Sequence, residues 1–192
     1  MPYQPELIGG HIALDLLNTV SWRLDPTRVI DRIATPEALA RWCAAVDLPA
    51  LGTSRPSGPV RAERGAPGEV VEVREIVYDA VLPIARGLAP GDLQVLQGLL
   101  VGALGRATPV AVRPLDWSGE DLADELVLAA GRLVEREDLS RLRECQDGDC
   151  GWLFLDRSKN ASRRWCSSAD CGNRARAKRH YQRLQAGTDR LS

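Results

Sequence analysis

The sequence predicts a mostly α-helical protein, with a helical N-terminal domain that includes one short β-hairpin and a small C-terminal module of mixed α and β structure. Three observations predict this class. Ala, Leu and Val dominate the apolar residues, a composition that favours helices, and aromatic residues make up only 5% of the 192 residues. Apolar residues recur at helical spacing in several separate segments. Four of the five cysteines lie in the last quarter of the chain, in two close pairs.

Three helices are predicted in the first part of the chain. Residues 9–22 carry apolar side chains at helical spacing and predict the first helix. Thr35 is placed to cap a second helix over residues 37–46. Residues 69–88 return to the helical pattern and predict the third helix, which Pro83 is expected to kink or shorten.

The rest of the N-terminal domain alternates between loops and regular structure. Residues 49–68 hold four Pro and four Gly without apolar periodicity, which predicts an exposed, flexible loop. A fourth helix is predicted over residues 90–104, and alternating apolar residues within 108–117 predict the short β-hairpin. A last helix over residues 118–137, with Ser118 as its capping residue, ends the N-terminal domain at residue 137.

The net charge of −1 conceals an uneven distribution of charge. Residues 141–192 contain 12 Lys or Arg and 6 Asp or Glu, a net charge of +6, whereas the other 140 residues carry 13 and 20, a net charge of −7. A basic module on an acidic body is typical of proteins that bind polyanions. The alternative is a charged helix that only faces solvent.

No segment of the sequence predicts membrane insertion or export. The longest uncharged apolar stretch, residues 95–104, is about half of the ~20 residues needed to cross a bilayer. Residues 1–10 lack a basic segment followed by an apolar one, which a secretory signal requires. We therefore expect a cytoplasmic protein with no membrane partner.

The cysteine spacing predicts a metal site. Cys145 and Cys150 are separated by four residues, Cys166 and Cys171 are also separated by four, and fifteen residues lie between the pairs. Two close pairs joined by a short excursion can surround a tetrahedral zinc ion. Two disulfides or four unrelated thiols are the alternatives, and disulfides are unusual in a cytoplasmic protein. We therefore predict one structural Zn²⁺ ion bound by these four cysteines, and we expect Cys43 to be a buried thiol.

The residues around the cysteines predict a treble-clef-like or ribbon zinc finger. Residues 151–155 are aromatic and apolar, as in a strand, and residues 156–160 have the composition of a turn. We expect a returning strand at 162–165 to complete a hairpin between the two cysteine pairs. From Cys171 onward the sequence is rich in helix formers, so a basic helix is expected to begin at this ligand.

The C-terminal helix predicts a nucleic-acid contact. On a helical wheel, Arg176, Arg179 and Arg183 share one face. Ala177 and Tyr181, together with the leucine at 184, share another face, which we expect to pack. A basic helix of this kind fits a major groove or follows a phosphate backbone. The candidate contacts with double-stranded DNA are Arg163, Arg164, Arg174, Arg176, Lys178, Arg179 and Arg183.

The run CGWLFLDRSKNASRRWCSSADCGNRARAKRHYQR, residues 150–183, closely resembles the CGNR zinc-finger proteins, whose name is the tetrapeptide at residues 171–174. The segment LDLLNT at residues 14–19 is similar to the opening of the ABATE domain, the partner region of that family. The resemblance implies an ABATE-like domain over residues 1–137 and a CGNR zinc finger over residues 138–192. It also implies a bacterial, stress-induced transcription regulator with a DNA-binding finger and zinc on the four cysteines.

The sequence supports three functional hypotheses. The first is a zinc-dependent DNA-binding transcriptional regulator, whose helical domain senses a small-molecule effector or forms a homodimer. The second is a zinc-stabilised module that binds RNA or protein. The third is an enzyme with a site in the helical domain. We expect no enzyme, because four cysteines close the zinc coordination sphere and the sequence contains neither a phosphate-binding loop nor a nucleophile elbow.

Three polar residues near the start of the chain are the candidates for a ligand pocket. His11, Asp15 and Asn18 fall on neighbouring turns of the first predicted helix. Their side chains are thus predicted to lie close together, where they could line a small pocket. The alternative is that they cap the helix and form a buried polar network.

Overall fold

The structure is a computed structural model that describes residues 4–48 and 66–188, with side chains described through Gln185. Helices predominate and the strands form three antiparallel pairs, which confirms the mostly α fold class. None of the described helices combines the length and hydrophobicity needed to cross a bilayer. The helices are α1 (Ile12–Leu17), α2 (Pro36–Ala45), α3 (Pro67–Ala85), α4 (Leu93–Arg106), α5 (Leu122–Arg136) and α6 (Cys171–Thr188). The strands are β1 (Val20–Ser21), β2 (Ile30–Asp31), β3 (Thr108–Val112), β4 (Leu115–Ser118), β5 (Leu142–Glu144) and β6 (Leu153–Leu155).

The flexible loop predicted at residues 49–68 lies outside the described residues as far as residue 65. Its end differs from the prediction, because Pro67 and Gly68 already belong to α3. Proline is compatible with this position, since the N–H that it lacks would have no partner in the first turn of a helix. At the other end, α3 stops two residues after Pro83, as a proline inside a helix predicts.

Helix α1 is shorter than the helix predicted over residues 9–22. His11 caps its first turn, with imidazole Nδ1 accepting the Ala13 N–H at 3.2 Å. The helix ends at Leu17, and the next side chain, Asn18, binds the backbone of a strand far along the sequence. The chain then continues into β1, which pairs with β2.

Capping residues set the starts of α2, α4 and α5. Thr35 caps α2 as predicted, and Asp92 caps α4. Helix α5 begins later than predicted, because its cap is Asp121 and not Ser118. The Asp121 carboxylate accepts the Asp124 N–H at 2.9 Å, whereas Ser118 is the last residue of β4.

The main hydrophobic core lies between α1, α3 and α5. Leu14 of α1, Val81 of α3, and Leu126 and Leu133 of α5 are at most 1% exposed. Each buried leucine stabilises the folded state by roughly 1.5–3 kcal/mol relative to an exposed one. Helix α4 and strand β4 also pack against α5, so this helix is the centre of the N-terminal domain.

The strands of the C-terminal module belong to the same core. Leu142 of β5 and Leu153 and Leu155 of β6 are at most 3% exposed within it. The two strands are antiparallel, with Leu142 opposite Leu155. One continuous core therefore crosses the predicted domain boundary between residues 137 and 138.

The hairpin of this module differs from the predicted one. The strand predicted at 151–155 is present as β6, but its partner is β5, which precedes the first cysteine pair, and not residues 162–165. The Asp156 carboxylate accepts the Ser158 and Arg163 N–H groups, at 2.9 and 2.8 Å. These bonds stabilise a turn around residues 158–161, close to the turn predicted at 156–160, and residues 162–165 after it form no strand.

Hydrogen bonds also fasten the N-terminal segment to β6. The Asn18 side chain donates to the Leu153 carbonyl and accepts the Leu153 N–H, both at 2.9 Å. The Trp152 indole N–H donates to the Val20 carbonyl at 2.7 Å. The segment around β1 therefore fixes the position of the strand that leads out of the first cysteine pair.

Candidate metal centre

Cys145, Cys150, Cys166 and Cys171 form a compact cluster. Their sulfur atoms all lie within 4.8 Å of one another, and each residue is at most 5% exposed. The Cys150 and Cys166 sulfurs are 3.7 Å apart, and the Cys166 and Cys171 sulfurs 3.3 Å. A tetrahedral zinc ion separates its thiolates by about 3.8 Å, whereas a disulfide needs ~2.05 Å. All four are free cysteines. The cluster therefore fits one structural zinc ion, and the alternative of two disulfides does not apply.

The β5–β6 hairpin positions the first pair of ligands. Cys145 directly follows β5, and its N–H donates to the Trp152 carbonyl at 2.8 Å. Between the strands, the Cys150 N–H donates to the Asp147 carbonyl at 3.0 Å and closes a tight turn. Gly151 follows with a φ of 73°, a left-handed conformation that glycine adopts without strain. The turn thus directs both sulfurs to the same side of the hairpin.

The second pair of ligands lies where an irregular segment meets α6. The Cys166 N–H donates to the Cys145 sulfur at 3.5 Å and links the two pairs. Cys171 is the first residue of α6, as predicted, so its sulfur lies at the positive end of the helix dipole. This placement favours a thiolate at Cys171.

The electrostatics of the cluster favour a bound cation. The neighbouring thiol groups lower the pKa of Cys145 and raise the pKa of Cys166 and Cys171. The directions differ because four close, buried thiols cannot all ionise without a compensating positive charge. A divalent ion removes this conflict, since it deprotonates all the thiols that it binds.

Each residue that follows the ligand Cys171 in the tetrapeptide at residues 171–174 has a structural role. Gly172 packs so closely that an added Cβ would lie 3.3 Å from the Trp165 ring. Its N–H donates to the Ser167 carbonyl at 3.0 Å. The Asn173 side-chain amide donates to the Ala169 carbonyl and holds the loop between the second pair of cysteines.

Arg174 belongs to the metal centre. Its guanidinium donates to the Cys171 sulfur and to the Asp147 carboxylate, both at 2.9 Å. The same group lies 4.3 Å above the Trp22 ring of the N-terminal segment. Arg174, a predicted DNA contact, therefore binds three parts of the protein at once. These are the sulfur of a zinc ligand, the turn between the first pair of cysteines, and the N-terminal segment.

We expect Arg174→Ala to weaken zinc binding by about 10- to 100-fold, because the change removes a charged hydrogen bond to a ligand sulfur. Competition between the protein and a chromogenic zinc chelator measures this affinity. Lys178→Ala is the matched control, because Lys178 is an exposed basic residue of the same helix and should leave the affinity unchanged. Equal zinc affinity of Arg174→Ala and the parent protein would exclude this role.

Two other predicted DNA contacts also have partners within the protein. Arg163 lies 4.1 Å above the Phe154 ring, and its guanidinium donates to the carbonyls of Ile8 and Trp165. Arg164 donates to the Gln146 side chain at 2.6 Å. These contacts hold the irregular segment between β6 and α6 in place. The number of basic residues in the sequence could not distinguish this structural role from DNA binding.

The remaining basic candidates lie along α6. Arg176 donates to the Ser168 carbonyl at 3.0 Å and is exposed. Lys178, Arg179 and Arg183 are exposed, and the two arginines contact only carbonyls of their own helix among the hydrogen bonds of the described residues. The structure thus separates the seven candidates into a group that builds the metal centre and a group that faces solvent.

The packed face predicted for α6 is not observed. Tyr181 is 65% exposed, Leu184 is 55% exposed, and Ala177 is exposed as well. The expectation is wrong because α6 extends away from the body after its first turn. From 173 to 185, every described side chain except Ala175 is exposed.

The candidates for a ligand pocket, His11, Asp15 and Asn18, each have a partner within the protein. His11 caps α1, and burial lowers its pKa. The Asp15 carboxylate accepts the Gly9 N–H at 2.8 Å, and burial raises its pKa to about 6. Asn18 binds the backbone of β6. These contacts match the alternative of capping and a buried polar network, and a ligand at these residues stays a prediction.

Sequence reasoning missed the tryptophans and the aspartate that surround the metal centre. Trp22 and Trp152 line a cavity of about 190 Å³ beside the cysteine cluster, together with Arg174. Asp147 binds the guanidinium that contacts Cys171. The sequence offered one signal for two of them, their closeness to the ligands. Asp147 lies between the first two cysteines, and Trp152 is two residues after Cys150. No local signal connects Trp22 to a site more than a hundred residues away.

Residues 141–184 match the CGNR zinc finger family model. A comparison with curated proteins finds no match. The family match covers both cysteine pairs, the β5–β6 hairpin and most of α6. The resemblance of residues 14–19 to an ABATE domain lies outside it and stays a prediction. Residues 141–184 are therefore similar to the CGNR zinc finger, and the four cysteines in this segment fit one structural zinc ion.

Proposed function

We propose that the protein is a zinc-dependent, DNA-binding transcriptional regulator that uses α6 to contact the duplex. One observation carries the proposal. Helix α6 has 18 residues, and these include five Lys or Arg and no Asp or Glu. At 1.5 Å per residue it is about 27 Å long. A helix of this size and charge fits the major groove of B-DNA, which is ~12 Å wide.

The basic side chains of α6 are available to phosphates. Lys178, Arg179 and Arg183 make no ion pair with a carboxylate of the described residues, so phosphate binding would not break existing salt bridges. Each phosphate that such a residue neutralises releases bound counterions and strengthens binding. This term is independent of sequence, and contacts with base edges would have to supply specificity.

The metal centre supports this use of the helix. Zinc on Cys171 fixes the first turn of α6, and Arg174 joins that turn to the first cysteine pair and to the N-terminal segment. The helix would therefore reach DNA with its base already ordered, which reduces the entropy lost on binding. We propose a binding role and no catalysis, because four thiolates leave no open position on the zinc ion.

Fluorescence anisotropy of the zinc-loaded full-length protein on labelled genomic and random duplexes, at several salt concentrations, tests the proposal. Arg179→Ala with Arg183→Ala should weaken duplex binding by about tenfold and lower the slope of log K against log salt by about 2. Zinc content should stay unchanged. Arg41→Ala, a change of an exposed arginine on α2, is the control. Equal binding by the α6 variant and the parent would remove this helix from the interface.

RNA or protein binding is the second candidate function, and the exposed aromatic face of α6 favours it. Tyr181 is 65% exposed, and its ring centroid lies 6.1 Å from that of His180. Exposed aromatic rings stack on unpaired bases. The same titration with single-stranded RNA distinguishes the two, since tighter binding to RNA than to duplex DNA at equal salt would reverse the proposal.

A further inference from the structure

An apolar groove lies on the N-terminal domain, between α4, β4 and α5. We call it the leucine groove. It encloses about 590 Å³, and its lining is mostly apolar but includes the charged residues Asp116, Arg132, Glu135 and Arg136. Its apolar lining includes Leu93, Leu100 and Leu104 of α4, Leu115 and Trp117 of β4, and Leu128 of α5.

The apolar surface continues from the groove onto the β3–β4 hairpin. Val112 pairs with Leu115, and directly paired residues of antiparallel strands point to the same face. Leu115 lines the groove, so Val112 extends the same surface beyond its edge. Val112 is 83% exposed and Leu115 is 52% exposed. The hairpin thus presents an exposed apolar pair directly beside an apolar recess.

The size of this surface favours a macromolecular partner. Leu93 and Leu104 of α4 and Val134 of α5 are also about two-fifths exposed. Together with the hairpin pair they expose an area on the order of 500 Å², a large part of the ~800 Å² that each partner buries in a stable dimer. A small molecule would fill the recess but leave Val112 in water.

The charges around the groove favour an uncharged, apolar partner surface. Arg132 pairs with Asp116 at 2.8 Å, and Arg136 lies 3.6 Å from the same carboxylate. Glu135 lies 3.9 Å from Arg136. Because these charges already have partners, an apolar surface could cover the groove without leaving a buried charge unpaired. A charged ligand would have to compete with these existing ion pairs.

We propose that the leucine groove and the β3–β4 hairpin form the interface of a two-fold homodimer, in which Val112 and Leu115 of each copy pack into the groove of the other. The surface contains both an exposed apolar pair and an apolar recess. A two-fold axis places the apolar pair of each copy in the apolar recess of the other copy. The proposal is independent of DNA binding, although a dimer would also provide two α6 helices for two half-sites.

Sedimentation velocity of the zinc-loaded full-length protein over a range of concentrations tests this interface. The parent should sediment as a dimer, with twice the 21.0 kDa mass of the chain. Val112→Lys with Leu115→Lys should raise the dimer dissociation constant by roughly a hundredfold, because it places two charges at the centre of an apolar interface. Both residues are exposed in the monomer, so circular dichroism should show an unchanged fold.

Val95→Lys is the matched control, because Val95 is 50% exposed on α4 but does not line the groove. This variant should remain a dimer. A monomeric parent at all concentrations would overturn the proposal and assign the groove to a small apolar ligand, seen in native mass spectrometry, or to a segment of the same chain. A double-lysine variant that still dimerises, or a Val95→Lys variant that does not, would place the interface elsewhere.

Discussion

Cys166→Ser is expected to abolish stable zinc binding and to lower the melting temperature of the N-terminal helices together with that of the finger. Cys166 is 3% exposed, and its sulfur contacts the sulfurs of Cys150 and Cys171. A serine hydroxyl is a poor zinc ligand, so one corner of the tetrahedron is lost. The coupling to the helices follows from where the strands of the finger lie.

The finger and the N-terminal domain share both a core and hydrogen bonds. Leu153 and Leu155 of β6 pack with the residues of α1, α3 and α5. The Tyr78 hydroxyl of α3 donates to the Gly151 carbonyl at 2.9 Å, directly beside a zinc ligand. Disorder in the finger would therefore expose part of the main core and leave buried polar groups of the N-terminal domain without partners.

The expected loss of stability is large. Structural zinc contributes about 10–16 kcal/mol to the folding of isolated zinc fingers, whereas whole domains are stable by only about 5–15 kcal/mol. Losing even part of the contribution of zinc to the folding free energy should lower the melting temperature by at least ~10 °C, since 1 kcal/mol corresponds to about 2–4 °C in a chain of this size. Far-ultraviolet circular dichroism with and without a zinc chelator, for the parent and the variant, measures the effect.

Cys43→Ser is the matched control. Cys43 is a buried cysteine of α2 that lies outside the four-cysteine cluster, and burial raises the pKa of its thiol to about 11. This variant should keep its zinc. A two-step melting curve of Cys166→Ser, with the helical transition at the temperature of the parent, would contradict the coupling and support two separable domains, as a boundary at residue 137 predicts.

Most helices could be predicted from the sequence because their signals are local. Thr35 caps α2, and the apolar periodicity of residues 69–88 finds α3. The pairing of β5 with β6 could not be predicted in this way, because each strand has only three residues and the partner is chosen by packing against α1 and α3. The expected partner at 162–165 has the composition of a strand, but it forms none, and its Arg163 N–H donates to the Asp156 carboxylate instead.

The four zinc ligands could also be predicted from the sequence, because the spacing of the cysteines alone identifies them. The role of Arg174 was not, because the charge of a side chain does not reveal its partner. Arg174 was grouped with Arg179 on charge, yet the first contacts Cys171 and Trp22 and the second only its own helix. Contacts between residues distant in sequence decide this difference.

Arg74→Met is expected to destabilise the protein by about 2–3 kcal/mol, because it removes one partner of a partly buried ion pair together with the other hydrogen bonds of a buried guanidinium. Arg74 is 3% exposed, and its guanidinium donates to the Asp31 carboxylate at 2.9 and 2.7 Å. It also donates to the Thr19 hydroxyl at 3.0 Å and to Glu75 at 2.7 Å. These bonds hold the segment that contains β1 and β2 against α3, and the same segment binds β6 and the metal centre.

Urea unfolding at neutral pH measures the effect, with Arg41→Met, a change of an exposed arginine on α2, as the control. The control should lie within about 0.5 kcal/mol of the parent, as surface changes usually do. If Arg74→Met lowered the free energy of unfolding no more than the control does, the ion pair between Arg74 and Asp31 would not stabilise the protein. Because β1 touches the finger, we also expect Arg74→Met to release zinc at a lower urea concentration than the control.

The pH dependence separates the ion pair from simple packing. Burial by itself would raise the pKa of Asp31, but the hydrogen bonds and charge of Arg74 outweigh it and hold the pKa below its ordinary value of 3.8. The stabilisation is therefore complete above this value and is lost as the pH falls through the lowered pKa, where the folded-state carboxylate takes up its proton. The difference in unfolding free energy between the parent and Arg74→Met should shrink on acidification. A difference that stays constant with pH would instead assign the loss to the packing of the arginine side chain.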